Sequence, residues 1–191
     1  MTPASVRNDK NRVVAAAMRV LAAGGLPALS MRRIADELDV QVSALYWHFP
    51  NKQALLAAVS AEIVGAGSAG GGMDAVARAL RDRLLMFPDG AEIVSSSLAL
   101  GLLELPARTD LVSAAQAAGL DAATAEVAAD TVVHYVIGCT FHEQQRVHAA
   151  IVGAADSSVD LTPAGIGTRP DGFEAGLAMV VAGVRAAASI A

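Results

Sequence analysis

Between Gln41 and His48 the chain gathers side chains that can read a DNA groove. Gln41, Ser43 and His48 can hydrogen-bond to base edges or phosphates, and Val42 and Ala44 can touch a thymine methyl. The Tyr46 hydroxyl can reach a phosphate, and Trp47 stands beside it. Arg32, Arg33 and Lys52 supply cations for the backbone, with Ser30 just ahead of the arginines. These residues can work together only if a short helix presents them on the face opposite its packing side. The plainer alternative makes Tyr46 and Trp47 core aromatics and the arginines a solvated face.

A helix-turn-helix between residues 30 and 52 would meet that requirement. Ser30 is a suitable N-cap for a helix whose inner face is Met31, Ile34, Ala35 and Leu38. Asp39 falls at the turn, where a left-handed residue is often needed and Asp is tolerated better than most. The next helix runs from Gln41 to His48, with Leu45 and Phe49 facing inward. Ahead of this pair, residues 1–8 read as a loose tail and Asp9 to Ala23 as a first helix. Val13, Val14, Ala17, Met18 and Leu21 form its buried stripe. Gly24-Gly25 ends it and Pro27 prevents a restart. Asn51 to Val64 is the fourth helix.

Beyond this head, five glycines among the eight residues from Gly65 to Gly72 mark a connector or a gap between helices. Further helices are expected over 74–86, 91–105, 110–118, 121–151 and 173–190, with Gly138 a candidate interruption. Pro88-Asp89-Gly90 is a turn, Pro106 a break, and 151–172 a surface loop. The division expected is a DNA-binding domain at 1–52 and a ligand-binding and dimerisation domain at 53–191.

Composition fits this plan. The 191 residues can bury a sizeable core, and 54% are apolar. Mean hydropathy is +0.46, much of it from Ala and Val, and alternating β-branched or aromatic clusters are absent. The class is therefore all-α. A membrane-spanning helix needs about 18 apolar residues in a row. The best runs fall short: Ile93 to Leu103 is broken by serines, and Ala175 to Val184 lies between Glu174 and Arg185. No signal-peptide pattern opens the chain, so a cytoplasmic protein is expected. The single cysteine, Cys139, excludes an intramolecular disulfide and a Cys-based zinc site. Net charge is −5, which alone argues against nucleic acid. However, residues 1–52 hold seven Lys/Arg against four Asp/Glu, a net of +3, and the remainder carries −8. A basic head on an acidic body restores the DNA reading.

Catalytic patterns are missing. There is no G-x-S-x-G, no P-loop and no dinucleotide-binding glycine motif, and no Lys-Ser/Thr pair follows Gly70-Gly71-Gly72. His142-Glu143 does not open H-E-x-x-H, because position 146 is Arg. His134, His142 and His148 are compatible with ordinary core or interface histidines. No enzyme activity, cofactor or metal is expected.

The run L-Y-W-H-F-P-N-K-Q-A-L-L, residues 45–56, resembles the DNA-binding head of the tetracycline-repressor family of bacterial transcriptional regulators. Tyr46-Trp47-His48 is closest to the tetracycline-repressor subclass; Asp39 departs from the usual glycine. Weaker likenesses follow at Pro88-Asp89-Gly90-Ala91, at Val133-His134-Tyr135 through Gly138 to Glu143-Gln144, and at Phe173-Glu174-x-Gly176-Leu177. The resemblance implies a homodimer built from the helices near 121–150 and 173–190, with a ligand cavity in each body. Where the subclass holds a magnesium–drug chelate with histidines, this chain has Ser68 and Val94, and Ser97 replaces a neighbouring threonine. That implies a different, more apolar effector, with Ser68, Val94, Ser97, Val133, His134 and His142 as candidate pocket residues. The function expected is a repressor released from a palindromic DNA operator by a small molecule. The alternatives are a regulator of the same fold with a protein effector or none, and a small-molecule carrier or enzyme with a vestigial head.

Overall fold

The computed structural model describes residues 3–67, 70–151 and 172–188. Among them are nine α-helices and no strand: α1 (Pro3–Ala28), α2 (Met31–Leu38), α3 (Val42–Tyr46), α4 (Lys52–Val64), α5 (Met73–Leu85), α6 (Gly90–Ala99), α7 (Pro106–Ala117), α8 (Ala122–Ile151) and α9 (Gly172–Ala188). They fall into two compact units, one of residues 1–63 with 86–104, the other of 64–85 with 105–191.

The first unit contains α1, α2, α3, all but the last residue of α4, and α6. Its first helix starts at Pro3, earlier than the tail expected over 1–8. Proline suits a first helical position, because its φ is already helical and its missing N–H leaves nothing unpaired. The Gly24-Gly25 stop appears as a kink at Gly25, φ 66° and ψ −170°, after which the chain winds briefly through Pro27 to Ala28. Ser30 caps α2 as expected: its Oγ accepts a hydrogen bond from Arg33 N at 3.2 Å. Asp39 adopts the left-handed conformation, φ 53° and ψ 48°, and Val40 N donates to Ala35 O at 3.0 Å, closing the turn. Helix α3 is shorter than the 41–48 expected. Gln41 is extended at its N-cap, and Trp47 to Phe49 wind on as tight turns, with His48 N and Phe49 N both donating to Leu45 O. Asn51 Oδ1 accepts from Ala54 N at 2.8 Å and so starts α4.

Helix α6 ends at Ala99, well before the 105 expected. Gly101, φ 65°, stops it in a Schellman arrangement: Leu102 N donates to Ser97 O and Gly101 N to Leu98 O, both at 2.9 Å. The glycine was the legible signal, and the apolar residues around it masked it.

In the second unit α5, α7 and α9 pack on α8. Pro106 opens α7 instead of only breaking what precedes it. Helix α8 runs unbroken through Gly138, and the Asp121 carboxylate accepts from Ala123 N and Thr124 N at its start. Leu84, Leu111 and Leu177 are fully buried, each contributing about 1.5–3 kcal/mol of apolar burial. Between α8 and α9 the Tyr135 hydroxyl donates to Phe173 O at 2.8 Å, and the two rings stack at 5.6 Å. A Cβ on Gly176 would strike the Tyr135 ring and hydroxyl, so the glycine permits this approach. The surface loop expected at 151–172 falls, apart from its end residues, outside the described residues.

Candidate nucleic-acid interface

Leu45 and Phe49, both 1% exposed, pin the recognition segment to the head core. That anchoring turns the residues between and beside them outward. Trp47 is 90% exposed and Tyr46 50% exposed, so neither is a core aromatic. An indole left in water forgoes about 1.5–3 kcal/mol of burial, a deficit that a partner surface can recover. Gln41, Ser43 and Ala44 are exposed, while Val42 and His48 are half-buried at the margins. The Gln41 side chain makes no capping bond, leaving its amide available for a base edge.

Around this face stand the cations. Met31, Ile34 and Ala35 bury the inner side of α2, which leaves Arg32 and Arg33 in water on its first turn. There the helix N-terminus adds its own positive potential for a phosphate. Lys52 is exposed at the first position of α4. The side chains of Arg32, Arg33 and Lys52 have no ion-pair partner among the described residues. Arg19, by contrast, is held by Glu37 at 2.9 Å, and Lys10 Nζ lies 5.1 Å from the centre of the Phe49 ring. The structure thus brings the ten sequence-chosen DNA-facing residues onto one head, with Ser30 serving as the cap that sets the start of α2.

A contact that sequence reasoning missed ties α6 to this head. Asp89 is 6% exposed, adopts φ 57°, and its Oδ2 accepts a hydrogen bond from Leu26 N at 2.8 Å across 63 residues. A Cβ on Gly25 would lie 2.6 Å from that oxygen. A second tie is buried: Ser60 Oγ on α4 lies 2.8 Å from Ser97 Oγ on α6, and Ser97 Oγ donates to Ile93 O at 3.0 Å. Only the Pro88-Asp89-Gly90 turn and the serine run were visible in sequence, and neither reveals its partner.

The candidate pocket residues fall on different elements of the two units. Val94 and Ser97 are buried within the first unit, and Val133, His134 and His142 lie on α8 of the second, with both histidines exposed. Ser68 lies outside the described residues.

Residues 13–59 match the family of bacterial regulatory proteins called tetR, and residues 69–162 match the tetracyclin repressor-like C-terminal domain. The chain is 30% identical over 195 residues to the class A tetracycline repressor from transposon 1721 of Escherichia coli, covering 91% of this chain and 89% of that one. To the class G repressor of Vibrio anguillarum it is 49% identical over 51 residues, 27% of this chain and 24% of that one. Among solved structures, BioQ with its double-stranded DNA operator superposes with a TM-score of 0.75 at 39% identity, covering 93% of this chain and 98% of that one. ActR of Streptomyces coelicolor in complex with (S)-DNPA superposes at 0.71 with 28% identity, covering 94% and 98%. With these matches along nearly its whole length, the chain belongs to the tetracycline-repressor family of ligand-responsive, DNA-binding transcriptional repressors, which are regulators and not enzymes.

Proposed function

We propose that this protein holds a palindromic operator through two copies of its head and lets go when a small apolar molecule binds its body. The observation that carries the reading is the outward face of α3, with Trp47 almost wholly in water between two buried anchors. The protein is a homodimer through α8 and α9, where Val127, Val147 and Met179 stand exposed on the single chain and suit a partner copy. Two heads must sit about 34–36 Å apart to enter successive major grooves. Effector binding acts by favouring a conformation with another spacing, so operator and effector compete through a shared equilibrium.

Residues 1–52 make the DNA contacts in this reading, and 53–191 supply the effector site and dimer contacts. That functional division differs from the compact units, because α4 and α6 pack with the head. The Asp89–Leu26 bond and the Ser60–Ser97 pair are the routes by which a shift of α6 would reach the recognition helix. Val94, Ser97, Val133, His134 and His142 remain the proposed effector contacts, together with Ser68. Serine and valine in place of chelating histidines support an effector that is not a magnesium chelate. No helix of the described residues is long and apolar enough to cross a membrane, in keeping with a cytoplasmic site of action.

Selection of random duplexes by the purified protein, at a stated salt concentration, tests the reading. A palindrome whose half-sites are about one helical turn apart is the expected product. Recovery of no sequence at all would overturn it.

A further inference from the structure

The head carries a groove of about 250 Å³ between α1 and the helix-turn-helix. It is lined by Arg12 and Val13 of α1, by Leu38 and Val40 beside the turn, and by Ala44, Leu45 and His48 of the recognition segment. Arg12 is exposed and its side chain has no ion-pair or hydrogen-bond partner among the described residues.

Helical geometry says which side of the recognition helix this is. At 3.6 residues per turn, Leu45 and Phe49 define the inward direction and Trp47 the opposite one. Tyr46 then lies on one flank, and Ala44 with His48 on the other. A helix seated in the major groove, about 12 Å wide, has a sugar–phosphate strand on each side. Tyr46 can serve one strand; the other faces the groove that Arg12 lines.

Resting on the repressor reading, we propose that Arg12, with His48 beside it, clasps the operator backbone on the flank opposite Tyr46. The occupant is DNA because the groove is continuous with the recognition face through Ala44 and His48, and because the two polar residues of its otherwise apolar lining, Arg12 and His48, can both donate to a phosphate. The contact carries no base information. It fixes the register of the recognition helix from the flank opposite Tyr46.

The test uses the intact dimer and a duplex enriched by selection, followed by fluorescence anisotropy across a salt series. Arg12→Ala should flatten the slope of log affinity against log salt by about 0.9 per head, or about 1.8 per dimer. Relative preference among base-substituted duplexes should stay the same, and Arg12→Lys should keep the slope. Methylphosphonate substitution, one phosphate at a time, should show a position that weakens the native protein and leaves Arg12→Ala indifferent. An unchanged slope with an identical phosphate profile would overturn the role of Arg12 and leave the repressor reading standing. Failure of the native protein to enrich any duplex would overturn both. Circular dichroism and thermal unfolding of Arg12→Ala should match the native protein closely, since this side chain is exposed and makes no ion pair or hydrogen bond among the described residues.

Discussion

Three arginines of the second unit, Arg78, Arg81 and Arg108, and the cations of the recognition face are used in opposite ways. Arg78 bonds Asp74 and Glu174, Arg81 bonds Glu143 at 2.7 Å, and Arg108 takes Asp130 in a two-point grip. Arg12, Arg32, Arg33 and Lys52 have no ion-pair partner among the described residues. A cation already paired with a carboxylate brings little to a phosphate; one left in water keeps its full charge for it. The aromatic residues repeat the contrast. Phe173 is stacked on Tyr135 and covered by Arg81, whose guanidinium lies 4.7 Å from the ring centre, while Trp47 faces solvent. Unpaired charge and unburied ring together separate a surface made for a partner from one made for the fold.

The contrast breaks most visibly under combined substitution. Arg32→Ala, Arg33→Ala and Lys52→Ala together should lower operator affinity by about a thousandfold and flatten the salt slope by about 5 per dimer. Thermal unfolding should barely change, as measured by calorimetry on the same samples. Leu111→Ala should do the reverse: a loss of about 2–5 kcal/mol in chemical denaturation, with the salt slope of the remaining folded protein intact. Asp39→Gly relieves a left-handed non-glycine residue and should stabilise the head by up to about 1 kcal/mol, seen as a raised denaturation midpoint.

The smallest effect concerns one of the paired cations. Hydrogen bonding by Arg108, against the opposing effect of burial, holds the Asp130 carboxyl below its ordinary 3.8. Because the folded value is depressed, the stabilisation is complete above pH 3.8 and disappears as pH falls through the folded value. Asp130→Asn should cost less than about 1 kcal/mol at neutral pH and nothing in strong acid. A pH series of denaturation midpoints reads the difference. At the other extreme Tyr135, pushed up to about 12 mainly by burial, contributes stability below pH 10 that is lost as pH rises through its folded value.

Local signals made the head legible. Ser30, Asp39, Leu45 and Phe49 each act within one turn of their own position, so spacing alone places them correctly. Proline was less transparent: Pro3 and Pro106 open helices where a tail and a break were expected, because the same ring that ends one helix suits the first turn of the next. Distant partners were not legible at all. Asp89 reaches Leu26 N, and Ser60 meets Ser97 across 37 residues, through packing that no periodicity encodes. In the sequence Arg12 is only a charge, since its place beside His48 depends on how α1 crosses the helix-turn-helix.

The central claim is that the unpaired head cations are reserved for phosphates, and the salt dependence of the native dimer on its selected palindrome tests it most directly. Four such cations in each of two heads predict a slope of log affinity against log salt of about −7. A slope no steeper than about −2 would mean that these cations do not meet the backbone, and would contradict the claim.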